Sequence, residues 1–229
     1  MMQEQVLTKE EIKAQELLEE KEADSKLRSY PGLFGHVVTV LFIVWSIFQI
    51  YATTIGVIDA MRLRTWHMFF LLMFTFLLFP TYKTEQLKRK APPIWDWLFL
   101  GFTFFSVGYL LLYYTAVAKR GGYLNKTDLA VAFILLVVIF EAGRRACRSL
   151  MYLGLVFLLY NFLGRFIPGD LGHVGFSLKR VLSHMVWGSQ GVFGVGIGVS
   201  ATYIFLFVLF GAYLKYSGFS QFINDVSLT

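Results

Sequence analysis

Four side chains near the middle of the chain have the types and spacing to do ionic chemistry. Glu141, Arg145 and Arg148 fall at i, i+4 and i+7, so a helix would carry them on one face, with Arg144 beside them. An arginine one turn away lowers the cost of holding a carboxylate in an apolar setting. One reading is an ion site or a subunit-docking contact within a membrane. The other is an interfacial ion pair that ends a helix among lipid headgroups. Arginines are expected at a cytoplasmic boundary in any case, which favours the second.

The histidines are the other candidates. Two axial haem ligands must sit at similar depth on facing helices. His36 and His67 each open an apolar run. An antiparallel pair would place them at opposite faces, about 30 Å apart, which excludes a haem between them. His173 and His184 would share a helix face, but Gly175 interrupts it. No HExxH and no Cys/His cluster completes a zinc site, and GxSxG, Walker A and dinucleotide motifs are missing. No catalytic residue, metal or cofactor is therefore expected, and the histidines read as interfacial. Asn125-Lys126-Thr127 matches a glycosylation sequon, a short and common pattern. Asp96, between Trp95 and Trp97, reads as a helix cap favoured by the macrodipole, with a buried polar contact as the alternative.

Composition sets the stage on which these groups act. The 229 residues are 56% hydrophobic, 18% aromatic and 16% charged, with a mean hydropathy of +0.59. Soluble domains carry about 25% charged residues, so too little polar surface is available to coat a water-facing globule. Eight of the fifteen acidic residues lie between Glu4 and Asp24. The net charge of +6 comes from Lys and Arg placed between apolar runs rather than on one basic face, which argues against nucleic acid. The single cysteine, Cys147, excludes an intrachain disulfide.

The elements follow from the apolar runs. Residues 1–30 read as a soluble cytoplasmic tail with a short helix, where Thr8 and Glu11 form a capping box. This acidic segment is no secretory signal. A bilayer-crossing helix needs roughly 20 apolar residues. Val37–Ile58, Thr65–Tyr82, Leu98–Ala118 and Gly191–Leu214 meet that length, and Leu129–Phe140 and Ser149–Gly164 are shorter. The expected fold is an all-α integral membrane protein with about six transmembrane helices, or five if Ser149–Gly164 lies flat. With the N-terminus inside, inner segments hold thirteen Lys and Arg and outer ones eight, which sets the orientation. The tryptophans fall mostly near span ends, as an interfacial belt would place them. Residues 165–190 carry spaced apolar residues between Pro168, glycines and histidines, the pattern of an amphipathic interfacial helix. Gly194 and Gly198 have the spacing for close helix packing.

The run GVFGVGIGVSATYIFLFVLFGAYLKYSGFSQFINDVSLT (191–229) resembles the opening of the large membrane subunit of tripartite ATP-independent periplasmic (TRAP) transporters. The match is to the fused type that works with a TAXI-class solute receptor. RLRTWHMFFLLMFTFLLFP, PPIWDW, EAGRRACR and LLYNFLGRFIPGDLGHVGFSLKRVLSHM point the same way, so the resemblance covers roughly residues 31–229. It implies a four-helix small-subunit scaffold over 31–147 and the start of the large-subunit transport domain over 148–229. It implies a sodium-driven inner-membrane permease for C4-dicarboxylates or glutamate-like acids, with sodium as coupling ion. The implied partners are a periplasmic receptor, membrane lipid and the remainder of the large subunit. The family's large subunit has further helices carrying the sodium and substrate sites. The chain is therefore expected to be an N-terminal portion, inactive alone, and no substrate residue transfers to it. The rivals are a non-transporting membrane scaffold and a histidine-ligated membrane enzyme or electron carrier.

Overall fold

The computed structural model describes residues 27–82 and 90–219. Every regular element among them is a helix: α1 (Leu33–Thr54), α2 (Ala60–Leu78), α3 (Ile94–Lys119), α4 (Lys126–Ala146), α5 (Arg148–Leu163), α6 (Leu178–Val186) and α7 (Val195–Tyr216). A 3₁₀ turn, Gly164–Phe166, extends α5, and α7 contains a π turn at Ser200–Ile204. The helix expected near Thr8 lies outside the described residues.

All six apolar runs form helices, but they fall into two kinds. α1, α3, α5 with its 3₁₀ turn, and α7 are long and apolar enough to cross a membrane. α2 and α4 are helices of 19 and 21 residues that carry charge. Arg62 and Arg64 stand in the first turns of α2. Lys126, Asp128, Glu141, Arg144 and Arg145 stand at the ends of α4. These two are the inner helices. α2 packs on α3 and α4, α3 packs on α4, and α4 also carries α5 and α6. Phe76 of α2, Val107 and Leu110 of α3, and Leu135 and Val138 of α4 are fully buried in one core. Phe42 stacks on Phe74 at 3.7 Å between α1 and α2. The start of α7 lies against α2.

The polarity of this bundle is inverted relative to a water-soluble one. Ile47 of α1 is 63% exposed, Val156 of α5 62% and Phe207 of α7 71%, while Gln49, His67, Asp96 and Asp128 are buried. No residue of α5 is buried.

Several boundaries differ from the sequence reading. α1 starts at Leu33 and stops at Thr54, so Val57 and Ile58 lie beyond it. α2 starts earlier because Asp59 accepts from the amides of Met61 (3.1 Å) and Arg62 (3.3 Å), which takes both arginines into the helix. In the 165–190 segment only Leu178–Val186 is α-helical, and its apolar side, Val181, Leu182 and Val186, is buried by protein against α4. Trp45 and Trp187 are buried inside the bundle rather than placed at its rim. Gly194 does not serve helix packing: a Cβ there would meet the Gly191 carbonyl of its own turn at 2.9 Å.

Candidate functional site

Three buried polar clusters stand out, one at each end of the bundle and one between α1, α2 and α7. The first is built on Asp96, in the first turn of α3. Its side chain and that of Arg145 are wholly buried, with Asp96 Oδ1 receiving Arg145 Nη1 at 2.5 Å and the Thr81 hydroxyl at 3.2 Å. Arg28 bonds the other oxygen, Oδ2, and also donates to the Phe76 carbonyl at 3.3 Å. Glu141 closes the set, accepting from Arg145 Nε at 2.8 Å and from both Arg144 Nε and Nη2 at 2.7 Å. The Arg145 guanidinium lies over the Phe76 ring, 4.9 Å from its centroid. Arg144 reaches the Thr81 carbonyl at 3.3 Å. Two carboxylates thus join α3 and α4 to the segment preceding α1. Leaving one member of such a buried set unpaired costs about 3–5 kcal/mol.

Glu141, Arg144 and Arg145 are brought together as their spacing predicts, whereas Arg148 is not. Cys147 is extended (φ −149°, ψ 90°), ending α4 at Ala146, and Arg148 opens α5 in an exposed position. Asp96 is the buried contact rather than an interfacial cap. Arg28, placed by sequence in a solvated tail, is 3% exposed and locked to it.

The second cluster mirrors the first at the opposite end. Asp128, fully buried in the first turn of α4, accepts from Tyr109 Oη at 2.8 Å, Arg120 Nη2 at 3.0 Å and the Asn125 amide at 2.8 Å. Trp187 Nε1 donates to the Asp128 carbonyl at 3.2 Å, tying the end of α6 to α4. The sequon asparagine is therefore the N-cap residue of α4, its backbone amide held by Asp128.

The third cluster is centred on His67, 2% exposed and one side of a polar knot rather than interfacial. Its Nδ1 lies 3.3 Å from Gln49 Oε1 of α1 and its Nε2 3.0 Å from Ser200 Oγ of α7. Gln49 also donates to the Ala201 carbonyl, inside the π turn. Such turns leave a carbonyl without its regular partner, and an amide from a neighbouring helix supplies one here. The Trp45 ring stands 5.6 Å from the imidazole, and its buried Nε1 has no partner among the described residues. The histidine–serine spacing matches a base and nucleophile. The second ring nitrogen meets an amide, however, not the carboxylate that would orient such a base. The knot joins three helices.

The remaining histidines are scattered. His36 and His184 are exposed. His173 lies outside α6, with Nδ1 accepting from the Gly175 amide at 3.0 Å and Nε2 3.2 Å from the Tyr160 carbonyl. Among the described residues no three His, Cys, Asp or Glu converge as metal ligands. Two clefts of about 280 Å³ open on the outer surface. One lies between α5 and α6, the other between α2 and α7, where Arg64 donates to the Phe193 carbonyl at 2.8 Å. Gly198 makes room for that arginine, since a Cβ would sit 2.9 Å from its Nε.

Sequence reasoning missed Arg28, Thr81, Gln49 and Ser200 as partners. A glutamine and a histidine within adjacent apolar runs were the available signal. The chain matches no protein-family model, no curated protein and no solved structure.

Proposed function

We propose that the chain is a multi-pass protein of the inner (plasma) membrane with a cytoplasmic N-terminus. In this reading it is the scaffold part of a sodium-driven permease that imports organic acids, C4-dicarboxylate or glutamate-like, from a periplasmic receptor. The inverted polarity of the bundle supports the membrane half: α1, α5 and α7 expose most of their apolar side chains, while Asp96 and Asp128 are buried. Apolar patches beyond a few hundred Å² are rare on water-soluble monomers. A helix satisfies its own amides, which is what a water-free bilayer demands. The transport half rests on the resemblance of residues 191–229 to the opening of the large subunit.

The three clusters support a scaffold role within that reading. Asp96, Asp128 and His67 are each engaged in holding helices together. Solute handling then falls to the remainder of the large subunit. The same engagement favours a second reading, a membrane scaffold with no part in transport.

Uptake of labelled glutamate and C4-dicarboxylates into vesicles separates the two. The chain is supplied with or without the remainder of the large subunit and its receptor, under an imposed sodium gradient. Uptake that needs the chain, the other components and sodium is expected. Uptake unchanged when the chain is omitted overturns the transport reading.

A further inference from the structure

The short helix α6 divides its sides sharply. Val181, Leu182 and Val186 are buried against α4, while Arg180 and His184, one turn apart, are exposed on another side. Both line the cleft of about 280 Å³ between α5 and α6, together with Asn161, Phe176 and Met185. The cleft is held open by fixed backbone: the Phe176 amide donates to the Asn161 carbonyl at 2.9 Å, and Ser177 caps α6 through the Arg180 amide at 3.4 Å. Among the described residues neither Arg180 nor His184 is in an ion pair. Arg165 and Lys179 add positive charge to the 165–190 segment, against Asp170. The approach to the cleft is apolar. α5 has no buried residue and exposes Val156, Leu159 and Leu163 toward its end.

We propose that this cleft binds the headgroup of an anionic phospholipid. Arg180 and His184 take the phosphate oxygens, and an acyl chain lies along the exposed face of α5. A guanidinium supplies paired N–H donors matched to phosphate, and basic residues near a bilayer surface attract anionic lipid. The apolar walls, Phe176, Val181 and Met185, suit a lipid better than a free anion. The inference rests on the membrane reading above and is independent of transport.

Native mass spectrometry of the full chain in uncharged detergent tests it, with phosphatidylglycerol, phosphatidylcholine and inorganic phosphate as probes. Phosphatidylglycerol is expected to be retained about tenfold over phosphatidylcholine. R180Q/H184Q should abolish that preference, and R62Q, at a separate exposed arginine, should keep it. Circular dichroism checks that the double variant retains its helicity, and R180Q alone is read if it does not. Equal retention of both lipids, or a preference surviving these changes, overturns the proposal. Inorganic phosphate that displaces phosphatidylglycerol at micromolar concentration shows a free-anion site and overturns the lipid assignment. Alkaline extraction from vesicles separates the two levels. A chain washed off sinks the membrane reading, whereas one that stays embedded without lipid preference sinks only this inference.

Discussion

Asp96 shows how much one side chain can hold. Two guanidinium groups, from Arg28 and Arg145, converge on it in a fully buried site. Asp96→Asn keeps the shape and removes the charge, so Arg28 and Arg145 lose the buried carboxylate between them while Arg145 keeps its pair with Glu141. The expected cost is about 3–5 kcal/mol, read as a lowered melting midpoint of the detergent-solubilised chain. D96N/R145Q should recover part of that loss, because one of the two guanidiniums facing the missing charge is removed with it and Arg144 still holds Glu141. His67 makes a second test. His67→Ala strips the Gln49 and Ser200 side chains of their shared partner, at about 1–3 kcal/mol for each polar group left buried and unsatisfied. His67→Gln, which keeps a donor and an acceptor, should lose less in the same melt. These partnerships were only partly legible from sequence. Glu141, Arg144 and Arg145 lie within one helical turn or so, and local geometry alone brings them together. Asp96 finds Arg28 across 68 positions and Arg145 across 49, distances over which spacing carries no information.

The helices themselves are legible because each apolar run, short or long, is flanked by charge or glycine. Their ends were not, since single residues decide them: Asp59 draws α2 back to Ala60, and an extended Cys147 separates α4 from α5. Two glycines, Gly191 before α7 and Gly198 in its first turn, divide the same way. At Gly191 a Cβ would meet the Met185 backbone at 2.5 Å, and at Gly198 it would meet the movable end of Arg64. Gly191→Ala therefore forces backbone to shift, at roughly 1–3 kcal/mol or more. Gly198→Ala displaces a flexible side chain and costs mainly its bond to Phe193, about 1.5–3 kcal/mol at most. Thermal melts of the two variants should rank Gly191→Ala as the more damaging. The spacing of apolar residues gives α6 two sides, but a sequence does not say whether lipid or protein covers the apolar side. Here α4 does.

At the scale of the whole molecule, the six apolar runs locate six of the seven described helices, four of them long and apolar enough to cross a membrane, but not the depth order. The charged helices α2 and α4 lie inside with one face of α3, and the apolar α1, α5 and α7 lie outside, an arrangement that only packing reveals. The antiparallel run of α3 and α4 places the Asp96 and Asp128 clusters at opposite ends. The sole cysteine reports on this directly. Cys147 is exposed beside the Asp96 end, so with the proposed cytoplasmic N-terminus a membrane-impermeant maleimide should label it in inside-out vesicles and spare it in right-side-out ones. With C147S, the variant Tyr123→Cys in the α3–α4 loop should give the reverse. Labelling of both from one side would refute the arrangement.

The two ionic knots also act as a gauge. At about 1.5 Å of rise per residue, α4 separates Asp128 from Arg145 by roughly 26 Å, slightly short of a typical hydrocarbon thickness of about 30 Å. In the proposed membrane reading, charges pinned by their partners cannot slide outward to follow a thicker bilayer, so the surrounding lipid must thin or the helices must strain. The chain should therefore be most heat-resistant in nanodiscs of fourteen-carbon acyl lipids and lose resistance as the tails lengthen. Embedded as proposed, a protein whose electrostatics is tied off at both ends in this way carries its preferred membrane thickness within its own salt bridges.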